Sequence, residues 1–224
     1  MAKLLHIETS TTMCSVALSE NENLVAAKEI NEGYTHAENL HVFIQSLLKE
    51  TKTQASELSA IAVSKGPGSY TGLRIGVSAA KGLAYALKIP LISLDTLQIM
   101  AVQARKNSSD TDFLCPMLDA RRMEVYTAVY DSTLKRKTEI QALIVDENSI
   151  SQFSHYPNIR FFGDGMSKCK DILSQLYHAD FIEDIVPSAK DMVGLAYAKY
   201  QTKEFEDVAY FEPFYLKDFL ILKK

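Results

Sequence analysis

A glycine-rich segment in the first half of the chain has the residue types of a loop that could bind an anion. Residues 65–76 read KGPGSYTGLRIG. Gly66 and Gly68 allow backbone conformations and close approaches that other residues resist, and Ser69 or Thr71 can cap a following helix. The free N–H groups of such a loop could hold a phosphate. The segment fits neither the Walker pattern nor the dinucleotide fingerprint, so a purely structural turn is the other interpretation.

A second set of polar residues lies between two short apolar runs near the start of the chain. The segment reads ETST at positions 8–11. Its acidic residue could hold metal-bound water, and its hydroxyl groups could meet phosphate oxygens. No glycine follows Glu8, so an ordinary polar hairpin is the alternative. Under the first interpretation a degenerate nucleotide loop would consist of Glu8, Thr9, Ser10, Thr11, Gly66 and Gly68.

The histidines and cysteines do not form a recognisable metal site. His36 and His41 are five positions apart, whereas two zinc-binding histidines on one helical face are about four apart. Cys14, Cys115 and Cys169 are far apart and odd in number, which disfavours both a metal site and a disulfide framework. The sequence therefore predicts no metal and no required cofactor, with weak nucleotide binding at the degenerate loop left open.

Hydrophobic periodicity and turn signals predict the elements that would position these residues. Thr35 and Glu38 form a capping-box pattern at the start of the first helix. In order, the predicted elements are strands at 4–8, 14–19 and 24–30, a helix at 36–50, a strand at 60–64, a helix at 71–87 and a strand at 91–94. A meander followed by two crossovers is the ribonuclease-H-like arrangement.

The second half of the chain repeats this order in a trimmed form. A helix at 96–106 comes before a polar break near residue 107. Beyond the break the predicted elements are strands at 113–118, 124–130 and 139–145, a short helix at 147–153, a strand at 159–162, and helices at 167–176 and 189–200. We therefore expect an α/β, two-lobed actin-like ATPase fold with a reduced second lobe. The break near residue 107 suggests a first lobe of 1–107, joined by the tail 209–224, and a second lobe of 108–208.

The predicted helix at 71–87 carries small residues on two faces. Gly72, Gly76, Ala80 and Ala84 follow one face, and a second face combines Ile75, Ala79, Gly82 and Ala86. Each interior glycine costs a helix about 1 kcal/mol relative to alanine, and close packing against another backbone would offset that cost. Two small faces indicate two neighbours. One would be the sheet of the same lobe, and the other is either a second internal element or a partner protein.

Three segments together resemble one known family. They are ETSTTMCSVAL at 8–18, GPGSYTGLRIGVSAAKGLAYAL at 66–87 and DARRMEVYTAVYD at 119–131. They resemble the TsaB family, also called YeaZ, and the tail PFYLKDF extends the likeness over nearly the whole chain. The resemblance implies a non-catalytic scaffold in the biosynthesis of threonylcarbamoyladenosine in tRNA, paralogous to the catalytic subunit TsaD.

The resemblance also implies partners. It implies a heterodimer with TsaD through the first two helices of each protein, activation of TsaD, and recruitment of the ATPase TsaE. It further implies self-association of the isolated chain and contact with tRNA only through the complex. The candidate interface residues are Leu40, Phe43, Ile44, Leu47, Leu73, Gly76, Val77 and Ala80. On this basis, Gly76→Arg should abolish pairing and leave the isolated fold largely intact.

One departure from the catalytic paralogue argues against catalysis. TsaD carries a His-x-x-x-His metal pair just after the strand that follows the small-residue helix, whereas Thr96 and Met100 stand at those positions here. Neither suits an iron or zinc site, and older descriptions of both paralogues as glycoprotease-like have no support in these residues. The alternative function is a nucleotide-binding or nucleotide-hydrolysing transferase that acts on its own.

Composition narrows the remaining possibilities. The formal net charge is -4 and the pI about 5.8, whereas proteins that grip nucleic acid alone usually present a basic face. The N-terminus lacks the pattern of a signal peptide, and no run approaches the ~20 apolar residues of a membrane span, so we expect a cytoplasmic protein. The charged hairpin turn at 119–124 could be a recognition loop or an ordinary solvated turn.

Overall fold

A computed structural model of the chain describes residues 1–33 and 35–217. The described residues form two compact units. The first unit combines Met1–Ile99 with Pro187–Phe214, and the second combines Met100–Val186 with residues 215–217.

The first unit contains a mixed sheet with helices on both faces. Its strands are β1 (Lys3–Glu8), β2 (Cys14–Glu20), β3 (Asn23–Ile30), β4 (Leu58–Gly66) and β5 (Leu91–Asp95), and its helices are α1 (His36–Glu50), α2 (Tyr70–Leu87), the start of α3 (Thr96–Arg105) and α5 (Val193–Thr202). The strand order is β3-β2-β1-β4-β5. The first three strands pair antiparallel, and β4 and β5 join in parallel. This is the predicted meander followed by crossovers.

The second unit repeats the sheet in shortened form. Its elements are β6 (Phe113–Asp119), β7 (Glu124–Thr127), β8 (Gln141–Ile144), β9 (Ile159–Phe162), α4 (Lys170–Leu173) and β10 (Ala179–Ile182). Its strand order is β10-β9-β6-β7-β8. Read in reverse, this order places β6 to β10 where the first sheet has β1 to β5. The short helix predicted at 147–153 is a single 3-10 turn, and the prediction of one continuous helix over 167–176 is wrong. Short 3-10 turns at Ser149–Gln152 and Ser167–Cys169, together with α4, bury Phe153, Cys169 and Leu173 instead.

The predicted lobe boundaries differ from those of the structure. The first unit ends at Ile99 rather than at residue 107, and the chain returns to it at Pro187 rather than at 209. The reason is that α5 and the turn before it bury Met192 and Ala196 in a cluster with Ala60, Ala62 and Ile92 of the first sheet. Of the tail, residues 209–214 belong to the first unit and residues 215–217 to the second. Residues 218–224 lie outside the described part of the chain.

The start of α1 also differs from its prediction. Thr35 makes no side-chain capping bond. Its carbonyl oxygen instead accepts from Glu38 N–H at 3.2 Å and from Asn39 N–H at 3.1 Å. His36 serves as the anchor here, since its Nε2 lies 2.7 Å from the carbonyl oxygen of Thr11. This contact fixes the first turn of α1 against the β1–β2 loop.

Candidate functional site

The two candidate phosphate loops pack directly on each other. The Ser69 N–H donates to the carbonyl oxygen of Ser10 at 2.6 Å. A Cβ atom at Gly68 would lie 2.3 Å from that same oxygen, closer than real Cβ atoms approach oxygen. Glycine is required at position 68 because the β1–β2 hairpin touches the backbone there. The Ser69 side chain then caps α2 by accepting from the Gly72 N–H at 3.3 Å, which confirms one of the two predicted caps.

The first small-residue face of α2 packs against Thr9. The Thr9 hydroxyl donates to the carbonyl oxygen of Gly72 at 2.8 Å. A Cβ atom at Gly72 would lie 2.1 Å from the Thr9 carbonyl oxygen, and one at Gly76 would lie 2.2 Å from Thr9 Oγ1. The neighbour inferred from this face is therefore the β1–β2 hairpin of the same unit. The helix lies so close to the hairpin that neither glycine can carry a side chain.

Glu8 is completely buried beneath this contact. Its Oε1 accepts from the Ser10 N–H at 2.6 Å. Burial raises the pKa of the Glu8 carboxyl, while the Ser10 and Ser64 hydroxyls lower it to a smaller extent. Those hydroxyls lie near the carboxyl without meeting the geometry of full hydrogen bonds, and Glu8 Oε2 has no partner among the described residues. A buried carboxyl with a raised pKa suits a neutral acid better than a ligand for metal-bound water.

A C-terminal segment occupies the other side of the glycine-rich loop. The Phe214 N–H donates to the carbonyl oxygen of Lys65 at 2.7 Å. Gly66 has φ +116, and a Cβ atom there would lie 2.8 Å from the Phe214 carbonyl oxygen. The loop residues of the predicted degenerate nucleotide site are thus engaged within the chain: Glu8, Thr9, Ser10 and Gly66 are buried, and Thr11 and Gly68 are partly buried. This geometry favours the structural turn over the phosphate site, and nucleotide binding stays a prediction.

The same segment continues backwards over α2 and the edge of the sheet. Lys81 Nζ donates to the carbonyl oxygens of Ala209 and Phe211, at 3.2 and 2.8 Å. Phe211 is buried in the core beneath α2. The Glu206 N–H donates to the Leu91 carbonyl oxygen at 2.8 Å, so the segment covers the edge of β5. We call residues 206–214 the C-terminal strap. Its polar contacts have no periodic signal in the sequence.

Most of the predicted interface residues belong to the interior of the first unit. Seven of them are buried, namely Leu40, Ile44, Leu47, Leu73, Gly76, Val77 and Ala80. Phe43 is partly buried. Apart from Leu73 and Gly76, these residues take part in or pack against the core on one face of the sheet. The prediction that these positions face a partner is wrong for the buried residues, because their apolar stripe is what holds α1 and α2 to the sheet. Gly76→Arg would therefore disrupt the fold as well as any pairing.

The second small-residue face of α2 is only partly open in the described chain: Gly82 and Ala86 are exposed, whereas Ile75 and Ala79 pack against the core of the unit. Gly82 is exposed, and a Cβ atom there would meet nothing within 4 Å. Ile75 and Ala79 are partly buried, and Tyr85 is 79% exposed. On α1, Val42 is 58% exposed. We call Val42, Phe43, Ile75, Ala79, Gly82 and Tyr85 the outer helix surface.

The positions compared with the metal pair of TsaD are apolar or hydroxylic and buried. Thr96 and Met100 are both fully buried, and Thr96 Oγ1 has no hydrogen-bond partner among the described residues. Within residues 1–33 and 35–217, no group of three or more histidine, cysteine, aspartate or glutamate side chains could hold a metal ion. None of the described helices combines the length and apolar character needed to cross a membrane.

Two successive sheets of the same strand order define the class of this protein: it has the two-lobed, actin-like α/β fold predicted from its sequence. A family model described as "TsaD: tRNA N6-adenosine threonylcarbamoyltransferase" matches residues 32–219. The tRNA threonylcarbamoyladenosine biosynthesis protein TsaB of Escherichia coli is 31% identical over 99% of this chain and 97% of its own length. The structure of YeaZ from Pseudomonas aeruginosa is 27% identical, with a TM-score of 0.81 over 96% of this chain and 100% of that one.

The match to catalytic relatives is shorter. The tRNA N6-adenosine threonylcarbamoyltransferase of Phocaeicola vulgatus is 29% identical over 54% of this chain and 42% of its own length. The full-length similarity is thus to TsaB proteins, within the wider group that the transferase model describes. The chain belongs to the TsaB family, also called YeaZ.

Proposed function

We propose that this chain is a non-catalytic accessory subunit in the biosynthesis of threonylcarbamoyladenosine in tRNA. In this role it pairs with a TsaD-type threonylcarbamoyltransferase, activates it and helps to recruit the ATPase TsaE in the cytoplasm. Full-length similarity to proteins named for this biosynthesis supports the pathway. The shorter similarity to the transferases themselves supports an origin as a paralogue of the catalytic subunit.

The exposed glycine of α2, Gly82, is the main support for placing the pairing surface on this helix. An interior helix glycine costs about 1 kcal/mol relative to alanine. At Gly76 the contact with Thr9 explains the absence of a side chain, whereas Gly82 has no neighbour within 4 Å. The close approach of a helix from another chain would explain in the same way why position 82 has no side chain. Ile75 and Ala79 beside it are apolar and only partly buried against the core, which suits such an approach, so we assign pairing to the outer helix surface.

Two observations support a non-catalytic role. The positions of the metal-binding histidines of TsaD hold Thr96 and Met100, whose side chains are fully buried. The candidate nucleotide loop is filled by contacts between its own residues, including the Ser69–Ser10 hydrogen bond. Transfer chemistry would then be supplied by the partner, and this chain would supply the surface that holds the partner in its active arrangement.

The pairing surface can be tested by a matched pair of substitutions. Gly82→Arg places a long cation on the outer helix surface. Gly194→Arg places the same side chain on α5, where the glycine is also exposed and also has nothing within 4 Å. We expect Gly82→Arg to abolish co-elution with the TsaD protein of the same organism in size-exclusion chromatography, and Gly194→Arg to pair normally. Circular dichroism of both variants checks that the fold is retained. Normal pairing by a folded Gly82→Arg variant would place the interface elsewhere.

The functional role is tested by reconstitution. The chain is combined with TsaD, TsaE and the enzyme that makes threonylcarbamoyl adenylate, and modified adenosine in tRNA is measured with each protein omitted in turn. We expect no modification by this chain without TsaD, and loss of multiple turnover when this chain is left out. Turnover by this chain without TsaD would instead establish an independent transferase, and full activity in its absence would remove the accessory role.

A further inference from the structure

The β6–β7 hairpin of the second unit holds two consecutive arginines in an unfavourable backbone conformation. Arg121 and Arg122 have φ angles of 76° and 51°, in the left-handed region that glycine and asparagine occupy most readily. The Arg121 N–H donates to Asp119 Oδ1 at 2.8 Å, and the Glu124 N–H donates to the Arg121 carbonyl oxygen at 3.1 Å. The turn is therefore well defined, although its residues are poorly suited to it.

The carboxylates beside this turn already have cationic partners. Lys168 forms an ion pair with Asp119, and its Nζ also donates to the carbonyl oxygen of Glu124 at 2.7 Å. Lys217 forms an ion pair with Glu124. Both lysines come from outside the hairpin. The hairpin arginines are thus not needed to neutralise the acidic residues at its base.

Arg121 and Arg122 are both exposed. Neither guanidinium group has a hydrogen bond or an ion pair with any residue in the described part of the chain, although the charge of Arg121 acts on Asp119 through space. A third carboxyl, Asp164, lies close by and accepts from the Asp119 N–H at 2.9 Å. The turn and the charged side chains around it contain four cations, Arg121, Arg122, Lys168 and Lys217, and three carboxyls, Asp119, Glu124 and Asp164. The excess positive charge is at the tip.

We propose that Arg121 and Arg122 form a contact site for the phosphate backbone of RNA. Guanidinium groups present planar N–H forks that match phosphate oxygens in geometry and charge. A strained backbone conformation points to a function when other residues would adopt the same turn with less strain. Two arginines without partners in the described chain would suit an anionic partner. This inference rests on the proposed function, because it takes the RNA to be the tRNA that the complex modifies. The net acidic chain would then contact tRNA through one local site.

The test compares two charge-matched double variants. Arg121→Gln/Arg122→Gln removes both charges from the hairpin tip, and Lys106→Gln/Lys135→Gln removes two exposed charges elsewhere in the same unit. Binding of unmodified tRNA is measured by fluorescence anisotropy at several salt concentrations, for the complex with TsaD and for the chain alone at low salt. We expect the arginine variant to lose roughly tenfold in affinity. The slope of log affinity against log salt should fall by about 2, one for each lost phosphate contact. The lysine control should stay within about twofold of the natural chain, because its charges lie away from the proposed contact.

A second variant separates strain from function. Arg121→Asn/Arg122→Gly replaces the arginines by residues that suit positive φ. We expect a higher thermal midpoint together with the same loss of tRNA affinity. A purely structural turn would give the higher midpoint with unchanged tRNA affinity, and that result would overturn the proposal.

Pairing with TsaD is measured in the same samples, so the two proposals fail separately. Unchanged tRNA affinity and salt dependence in a variant that still pairs would refute the RNA contact and leave the accessory role intact. Loss of pairing with unchanged tRNA binding would identify the arginines as a protein contact instead. Absence of tRNA binding by the natural chain, alone and in the complex, would also refute the RNA contact.

Discussion

Gly76 and Gly82, two of the glycines of α2, should respond in opposite directions to the same added methyl group. In Gly76→Ala the new Cβ atom would lie 2.2 Å from the buried Thr9 Oγ1. The Thr9 hydroxyl cannot turn away without losing its bond to the Gly72 carbonyl oxygen. In Gly82→Ala the new atom would have nothing within 4 Å. The two substitutions therefore differ in packing, while the gain in helix propensity is the same.

The expected changes in the free energy of unfolding follow from these contacts. Alanine gains about 1 kcal/mol over glycine in a helix interior. Overpacking a filled core costs about 1–3 kcal/mol, and a lost buried hydrogen bond costs about 1 kcal/mol more. We expect Gly76→Ala to lower the free energy of unfolding by about 1–3 kcal/mol. Gly82→Ala should raise it by up to about 1 kcal/mol.

Urea unfolding of the isolated chain, followed by circular dichroism, measures both changes. A double-mutant cycle with Thr9→Ala provides the control, because it removes the atom that Gly76→Ala would meet. In that background Gly76→Ala should cost at least about 1 kcal/mol less than it does in the natural chain. Equal stabilisation by both glycine substitutions, or no coupling between positions 9 and 76, would refute the packing account of α2.

Two further predictions concern buried ionisable groups. Burial raises the pKa of Glu8 above its ordinary 4.5, so its ionisation opposes folding as the pH rises from 4.5 through the folded-state pKa. Glu8→Gln should thus become more stable relative to the natural chain as the pH rises above 4.5, and a constant difference in urea midpoint would contradict this. Burial also raises the pKa of Cys115 to about 12 and that of Cys14 to about 11. Neither thiol should react with an aromatic disulfide reagent in the native protein at about pH 8 until urea unfolds it, and rapid native labelling would show that the thiols are accessible.

The sequence predicted the elements of the first unit well because each has a strong local signal. The meander strands are short apolar runs separated by turn residues, and α2 begins at a serine cap and ends before Pro90. The second unit was harder to predict. Residues 167–176 have apolar residues at a helical spacing, yet Cys169, Leu173 and Leu176 are buried by successive tight turns. Spacing alone does not distinguish these two solutions.

The candidate interface was misjudged for a related reason. Leu40, Ile44 and Leu47 form the apolar stripe that a helix needs to bind its own sheet, and the same stripe would suit a partner. Only burial in the folded chain separates the two uses. Gly76 and Gly82 likewise look equivalent in the sequence, and they differ because Thr9 lies under one of them. The positive φ angles of Arg121 and Arg122 carried no signal in the sequence, since arginine is not a typical turn residue.

The C-terminal strap has a consequence for synthesis. Leu91 at the edge of β5, Lys81 on α2 and the core around Phe211 receive their contacts from residues 206–214. A ribosome makes residues 100–186 before this stretch, so all of the second unit's sheet has been synthesised while the first unit still lacks α5 and the strap. Although domains usually fold in the order of their synthesis, here the sheet of the second unit is complete before the first unit has received its last helix and the strap. Until then, the edge of β5 is open to other nascent chains.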